Sequence, residues 1–136
     1  MTLQLSPDRT MGEVQADFAA AFPSLKLAFF SKPHHAFKGS AAKFLVQEKD
    51  APLSDLSPNM KTGYLNLEPN LTVWQVEKLL EDEFALHVQV FRKSGRTWLE
   101  TSRTDGLTLE QQLDKAAASE NIQQEFVDPM DYREQD

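Results

Sequence analysis

The chain has 136 residues, a net charge of −7 and no cysteine. That length suits one compact domain, or two half-sized units around a shared core, and it buries enough surface to need no covalent staple. The missing thiols exclude disulfides and cysteine-ligated metals. Residues 119–136 hold six acidic side chains against one arginine, so this stretch carries −5 of the −7 and the rest is near balance. A body that close to neutral does not supply the basic groove a polyanion partner wants, so no nucleic-acid partner is expected.

The opening "MTLQLSPD" enters a strand-like segment at once, with neither a basic leader nor an apolar stretch behind it. No secretory signal, membrane span or membrane partner is expected, which points to a soluble, cytoplasmic protein. After a first strand at residues 3–5 comes a helix start. Thr10 precedes Glu13 by three, the spacing of a capping box, and Met11, Val14, Phe18, Ala21 and Phe22 then fall on one stripe. The period next switches to two. Leu25, Leu27 and Phe29 alternate with Lys26, Ala28 and Phe30, as in a half-buried strand. A long connection, "KPHHAFKGSA", leads to a third strand expected over 43–48 and a weak helical segment at 52–56.

The same order then returns. "LSPDRTMGEVQADFAAAF" at residues 5–22 aligns with "LEPNLTVWQVEKLLEDEF" at 67–84, an offset of 62. A strand at 64–67 precedes Thr72 and Gln75, a second capping box. Val73, Val76, Leu80 and Phe84 form the helical stripe, with Leu79 at its edge, while Glu77, Glu81 and Asp82 read as its solvated side. Leu86, Val88 and Val90 alternate with His87, Gln89 and Phe91, and Ser94-Gly95 suits a tight hairpin into "TWLET". Thr108 and Gln111 open a last helix. The fold class expected is α+β, as tandem duplicated β-α-β-β-(α) units packed into one pseudo-two-fold body. The expected boundaries are a first unit at 1–56, a linker at 57–63, a second unit at 64–118 and an acidic tail at 119–136. One continuous sheet and two packed sheets both fit this order.

With those segments in view, "FFSKPH", "VQVFRKSG" followed by "WLET", and the closing "TLEQQ" resemble a family of small bacterial two-repeat proteins with no assigned function. The resemblance spans most of residues 3–118. It implies the two-part layout and brings no catalytic residues.

Candidate sites are sparse. Phe30 and Phe91 occupy matching positions, and each precedes a lysine by two, Lys32 and Lys93, with Arg92 between in the second copy. An aromatic beside basic groups at a strand end can stack a base or clamp a phosphate. The plainer alternative, and the preferred one, packs the rings under a neighbouring segment and uses the lysines to guard strand ends. His34 and His35 are the most ligand-like residues, but adjacent side chains diverge and no metal-ligand spacing accompanies them. No metal and no cofactor is expected. Trp74 lies off its helix stripe and can anchor an interface. In the tail, Phe126, Met130 and Tyr132 are apolar islands among acids, a pattern that suits either a docking peptide or a frayed end. No nucleophile elbow and no glycine-rich phosphate loop occurs. The expectation is a non-enzymatic protein–protein interaction module, a monomer or weak homodimer. The alternative is a small binder of nucleic acid or a phosphorylated ligand, using the strand-end aromatic and basic residues.

Overall fold

A computed structural model describes the backbone of residues 1–32 and 44–125, with side chains up to Ser119. The order is β1 (Thr2–Leu5), α1 (Met11–Ala21), β2 (Leu25–Phe30), β3 (Leu45–Val46), β4 (Gly63–Asn66), α2 (Val73–Phe84), β5 (His87–Ser94), β6 (Thr97–Glu100) and α3 (Leu109–Glu125). The class is α+β, with two antiparallel sheets. Among the described residues β1 pairs with β4 alone, and the larger sheet runs β3-β2-β5-β6.

Local chemistry sets the helix starts. The Thr10 hydroxyl accepts from the Glu13 N–H at 3.1 Å, and the Glu13 carboxylate accepts from the Thr10 N–H at 2.9 Å. Thr72 and Gln75 repeat the exchange at 3.1 and 2.8 Å. Thr108 and Gln111 repeat it again at 3.1 and 2.9 Å. Each box satisfies two N–H groups that a helix end otherwise leaves without partners. The β5–β6 hairpin turns at Gly95, whose φ of 62° is open to glycine at no steric cost.

Alternation and stripe then build one core. β1 and β4, with the residue that follows β4, contribute Leu3, Leu5, Leu65 and Leu67; the segments around β2 and β5 contribute Leu25, Leu27, Phe29, Leu86, Val88 and Val90. Met11, Val14 and Phe18 of α1 and Val73, Val76, Leu80 and Phe84 of α2 close the same cluster. Ala21, placed on the α1 stripe by its spacing, is exposed.

Several boundaries move. β3 covers two residues rather than 43–48. The chain leaves the sheet there because its carbonyls are needed elsewhere: Lys49 accepts from the Gly12 N–H at 2.9 Å and Ala51 from the Met11 N–H at 3.0 Å. The segment at 52–56 makes one 3-10 turn, Leu53–Asp55, which plugs Leu53 into the core. β4 begins at Gly63, inside the expected linker, and α3 runs past residue 118 to Glu125.

Similar hydrogen bonds occur at the starts of α1 and α2. Thr10 bridges Pro52 as Thr72 bridges Thr108. The Leu53 N–H donates to Arg9 at 2.8 Å and the Leu109 N–H to Leu71 at 2.9 Å. Ser54 donates to Pro7 at 3.0 Å and Glu110 to Pro69 at 3.1 Å.

Candidate functional site

Antiparallel register decides which outward side chains become neighbours. β2 lies beside β5 with Lys26 opposite Phe91, and β5 lies beside β6 with Lys93 opposite Trp98. Alternation puts Lys26, Phe91, Lys93 and Trp98 on one face. The Lys26 Nζ sits 4.7 Å from the Trp98 ring centroid and 5.6 Å from that of Phe91. Cation–π attraction of about 0.5–1 kcal/mol per ring holds the ammonium there. Partial burial lowers the Lys26 pKa below the ordinary lysine range, and the nearby charge of Lys49 lowers it further. Trp98 remains 40% exposed, on an edge strand.

Beside this cluster, α1, the edge of β2 and residues 45–49 line an open cleft of about 500 Å³. Its apolar wall includes Met11, Ala16, Ala19, Leu25 and Leu27. Gln15, Lys26, Gln47, Glu48 and Lys49 supply its polar side chains, and Trp98 belongs to its lining. Gln15 reaches across to the strand, its Nε2 donating to the Leu27 carbonyl at 2.8 Å. The Gln15 Oε1 is buried and has no hydrogen-bond partner among the described residues. A mostly apolar cleft of this size with a few converging polar groups has the character of a binding site.

The residues singled out in the sequence separate in space. Phe91 is half-buried at the Lys26–Trp98 cluster, and Lys93 is exposed beside it. Phe30 is not a free surface ring. Only 2% of it is exposed, and covering a phenyl group gains about 2 kcal/mol. Arg92 is not a surface cation beside Phe91 either. Neighbours on a strand point to opposite faces, so Arg92 faces away from Phe91 and Lys93 and is fully buried. Its Nη1 donates to Gln112 Oε1 at 2.9 Å, and Gln112 Nε2 donates to the Thr104 carbonyl at 2.9 Å. Lys32 is exposed, with its Nζ 5.3 Å from the Phe44 ring. Trp74 is half-buried, and its N–H donates to the Asp105 carbonyl at 2.8 Å. His34, His35, Phe126, Met130 and Tyr132 lie outside the described residues. Among the described residues no group of three His, Asp or Glu side chains is placed to hold a metal ion. Nor is any described helix long and apolar enough to cross a membrane.

Glu77 departs from the solvated face expected of it. It is buried, and its Oε2 accepts from the Val90 N–H at 2.8 Å and from Gln89 Nε2 at 3.2 Å. The signal was present in the spacing, since Val73, Val76, Glu77 and Leu80 follow the core-facing rhythm of a helix. Lys26 and Gln15 had no comparable signal. Lys26 meets Phe91 and Trp98 through the β2–β5 register, and Gln15 reaches the Leu27 carbonyl from α1.

No protein-family model, no curated protein and no solved structure matches this chain.

Proposed function

We propose that this chain is a duplicated, pseudo-two-fold α+β body that serves as a non-enzymatic module for binding another protein. Support for the duplication comes from the paired capping boxes and the corresponding hydrogen bonds at Pro7 and Pro69 and at Arg9 and Leu71. The strand order β3-β2-β5-β6 also places like elements about a centre between β2 and β5. The two-repeat resemblance points the same way.

One observation carries the binding function. A tryptophan stands 40% exposed on β6, braced by Lys26, in the lining of a mostly apolar cleft. Burying such a ring in a partner gains more than any other exposed group on this face, and tryptophan dominates measured interface hot spots. A photo-crosslinking amino acid in place of Trp98, introduced in cells, tests this. A discrete heavier adduct is expected there, and none from the same group at exposed Glu81 on α2. Absence of an adduct at position 98, or identical adducts from both positions, sinks the assignment.

The alternative, a binder of nucleic acid or phosphorylated ligands, draws on the same cluster through Lys26, Lys93 and the ring faces of Trp98 and Phe91. It predicts salt-dependent binding of a single-stranded oligonucleotide, lost in Trp98→Ala. The protein-binding assignment predicts none.

A further inference from the structure

The larger sheet ends differently on its two sides. Among the described residues its outermost strands are β3 and β6. β3 is two residues long, too short to offer a ladder to another strand. β6 keeps four residues, Thr97–Glu100, in unbroken register with β5. It holds no proline, no lysine and no bulge, the devices that commonly stop an outer strand from pairing further.

Hydrogen bonding shows which way its backbone points. The Thr101 N–H donates to the Val90 carbonyl at 3.3 Å, so residues 90 and 101 form a bonded pair. Bonded and non-bonded pairs alternate along an antiparallel ladder. Arg92–Leu99 and Ser94–Thr97 are then bonded, and Lys93–Trp98 is not. The Trp98 N–H and carbonyl therefore face away from β5, where no further strand lies among the described residues. Trp98 itself is 40% exposed, and Arg96 and Thr97 before it are exposed too.

The stretch Arg96-Thr97-Trp98-Leu99-Glu100 complements itself when reversed. Antiparallel pairing about a two-fold at Trp98 sets Trp98 opposite Trp98 of a second copy. It also sets Arg96 of each copy opposite Glu100 of the other. A two-fold at Arg96 or at Glu100 puts like charges opposite each other, which is destabilising. A two-fold at Thr97 or at Leu99 leaves neither charge opposite its counter-charge.

We infer that two copies of this chain associate through β6, antiparallel and centred on Trp98, joining two four-stranded sheets into one. The inference rests on the protein-binding function proposed above and names the partner as a second copy. The contact is isologous, so it closes at two copies. A ladder this short makes a small interface, and the expected dissociation constant is roughly 10 μM to 1 mM.

Sedimentation of the full chain across that concentration range provides the test, with a shift from one copy to two expected. Arg96→Glu and Glu100→Arg each set like charges opposite at both ends, and each is expected to weaken the dimer about tenfold or more. An equimolar mixture of the two variants is expected to recover it, because every pair is then of opposite sign. Damage to the fold is not repaired by mixing. Trp98→Pro removes the outward N–H while sparing the bonds to β5, and is expected to abolish the dimer with the fold retained by circular dichroism. A chain that stays a single copy throughout overturns the inference. So does a dimer that neither charge change weakens, or one that mixing fails to recover. A crosslink at position 98 to a protein of another mass, from a chain that stays monomeric, overturns the second copy and leaves the protein-binding function standing. No dimer and no crosslink overturns both. A dimer that forms only after residues 126–136 are deleted overturns the second copy as occupant and assigns the β6 edge to the chain's own end.

Discussion

At single positions, burial and hydrogen bonding outweigh residue type. Arg92 and Glu77 are ionisable side chains, yet both are interior, and each has a hydrogen-bond partner there. Gln112→Leu removes the acceptor of Arg92 Nη1 while keeping the volume. Leaving that buried donor without its partner is expected to cost about 1–3 kcal/mol in urea unfolding. Phe18 is wholly buried, so Phe18→Ala is expected to cost about 3–5 kcal/mol by the same measurement. Glu13 shows how a cap couples to pH. Hydrogen bonds from the Thr10 backbone and hydroxyl hold its carboxyl below the usual carboxylate range. A folded pKa below the unfolded one gives stability that is complete above about 4.3, the ordinary glutamate value, and is lost as pH falls through the depressed value. Glu13→Gln, the arrangement Gln75 already uses, is expected to flatten the acid side of the stability profile between pH 5 and pH 2, about where glutamate titrates. An unchanged acid limb would remove this role from Glu13.

Among the elements, helix starts were legible in the sequence and strand lengths were not. A capping box spans four residues, so its signature sits in one short window. Thr72→Ala is expected to cost about 1 kcal/mol, read as a lower melting temperature with no change in the β-sheet signal. β3 shows the opposite case. Its residues alternate well enough for a longer strand, but the carbonyls of Lys49 and Ala51 are drawn to the N terminus of α1. That competition is between segments more than thirty residues apart along the chain. It leaves β3 two residues long, paired with Phe29 and Phe30.

For the molecule as a whole, both sheets join the two halves. β1 pairs with β4 and β2 with β5, so separating the halves breaks every ladder except β2–β3 and β5–β6. Short hairpins are marginal in water on their own. Residues 1–62 and 63–136 are therefore each expected to be unfolded alone and to regain helical and sheet signal by circular dichroism when mixed. A cooperative melt from either fragment by itself would show that the halves are independent domains. The intact chain is expected to unfold in one transition by every probe, because Leu3, Leu27, Leu65 and Val90 share one core.

Periodicity, caps and turn residues act within a few positions of one another, and for that reason the primary structure alone was enough to place three helices, the alternating strands and the Gly95 turn. The facing directions of Arg92 and Glu77 were also within its reach, through strand alternation and helix spacing. Pairing is different. Lys26 meets Trp98 only because β2 joins β5 in one register and β6 follows on the far side, and no local pattern specifies that choice. Packing in three dimensions chose two sheets over one, buried Phe30, and left a lined cleft beside α1, since each of these depends on which distant surfaces exclude water together.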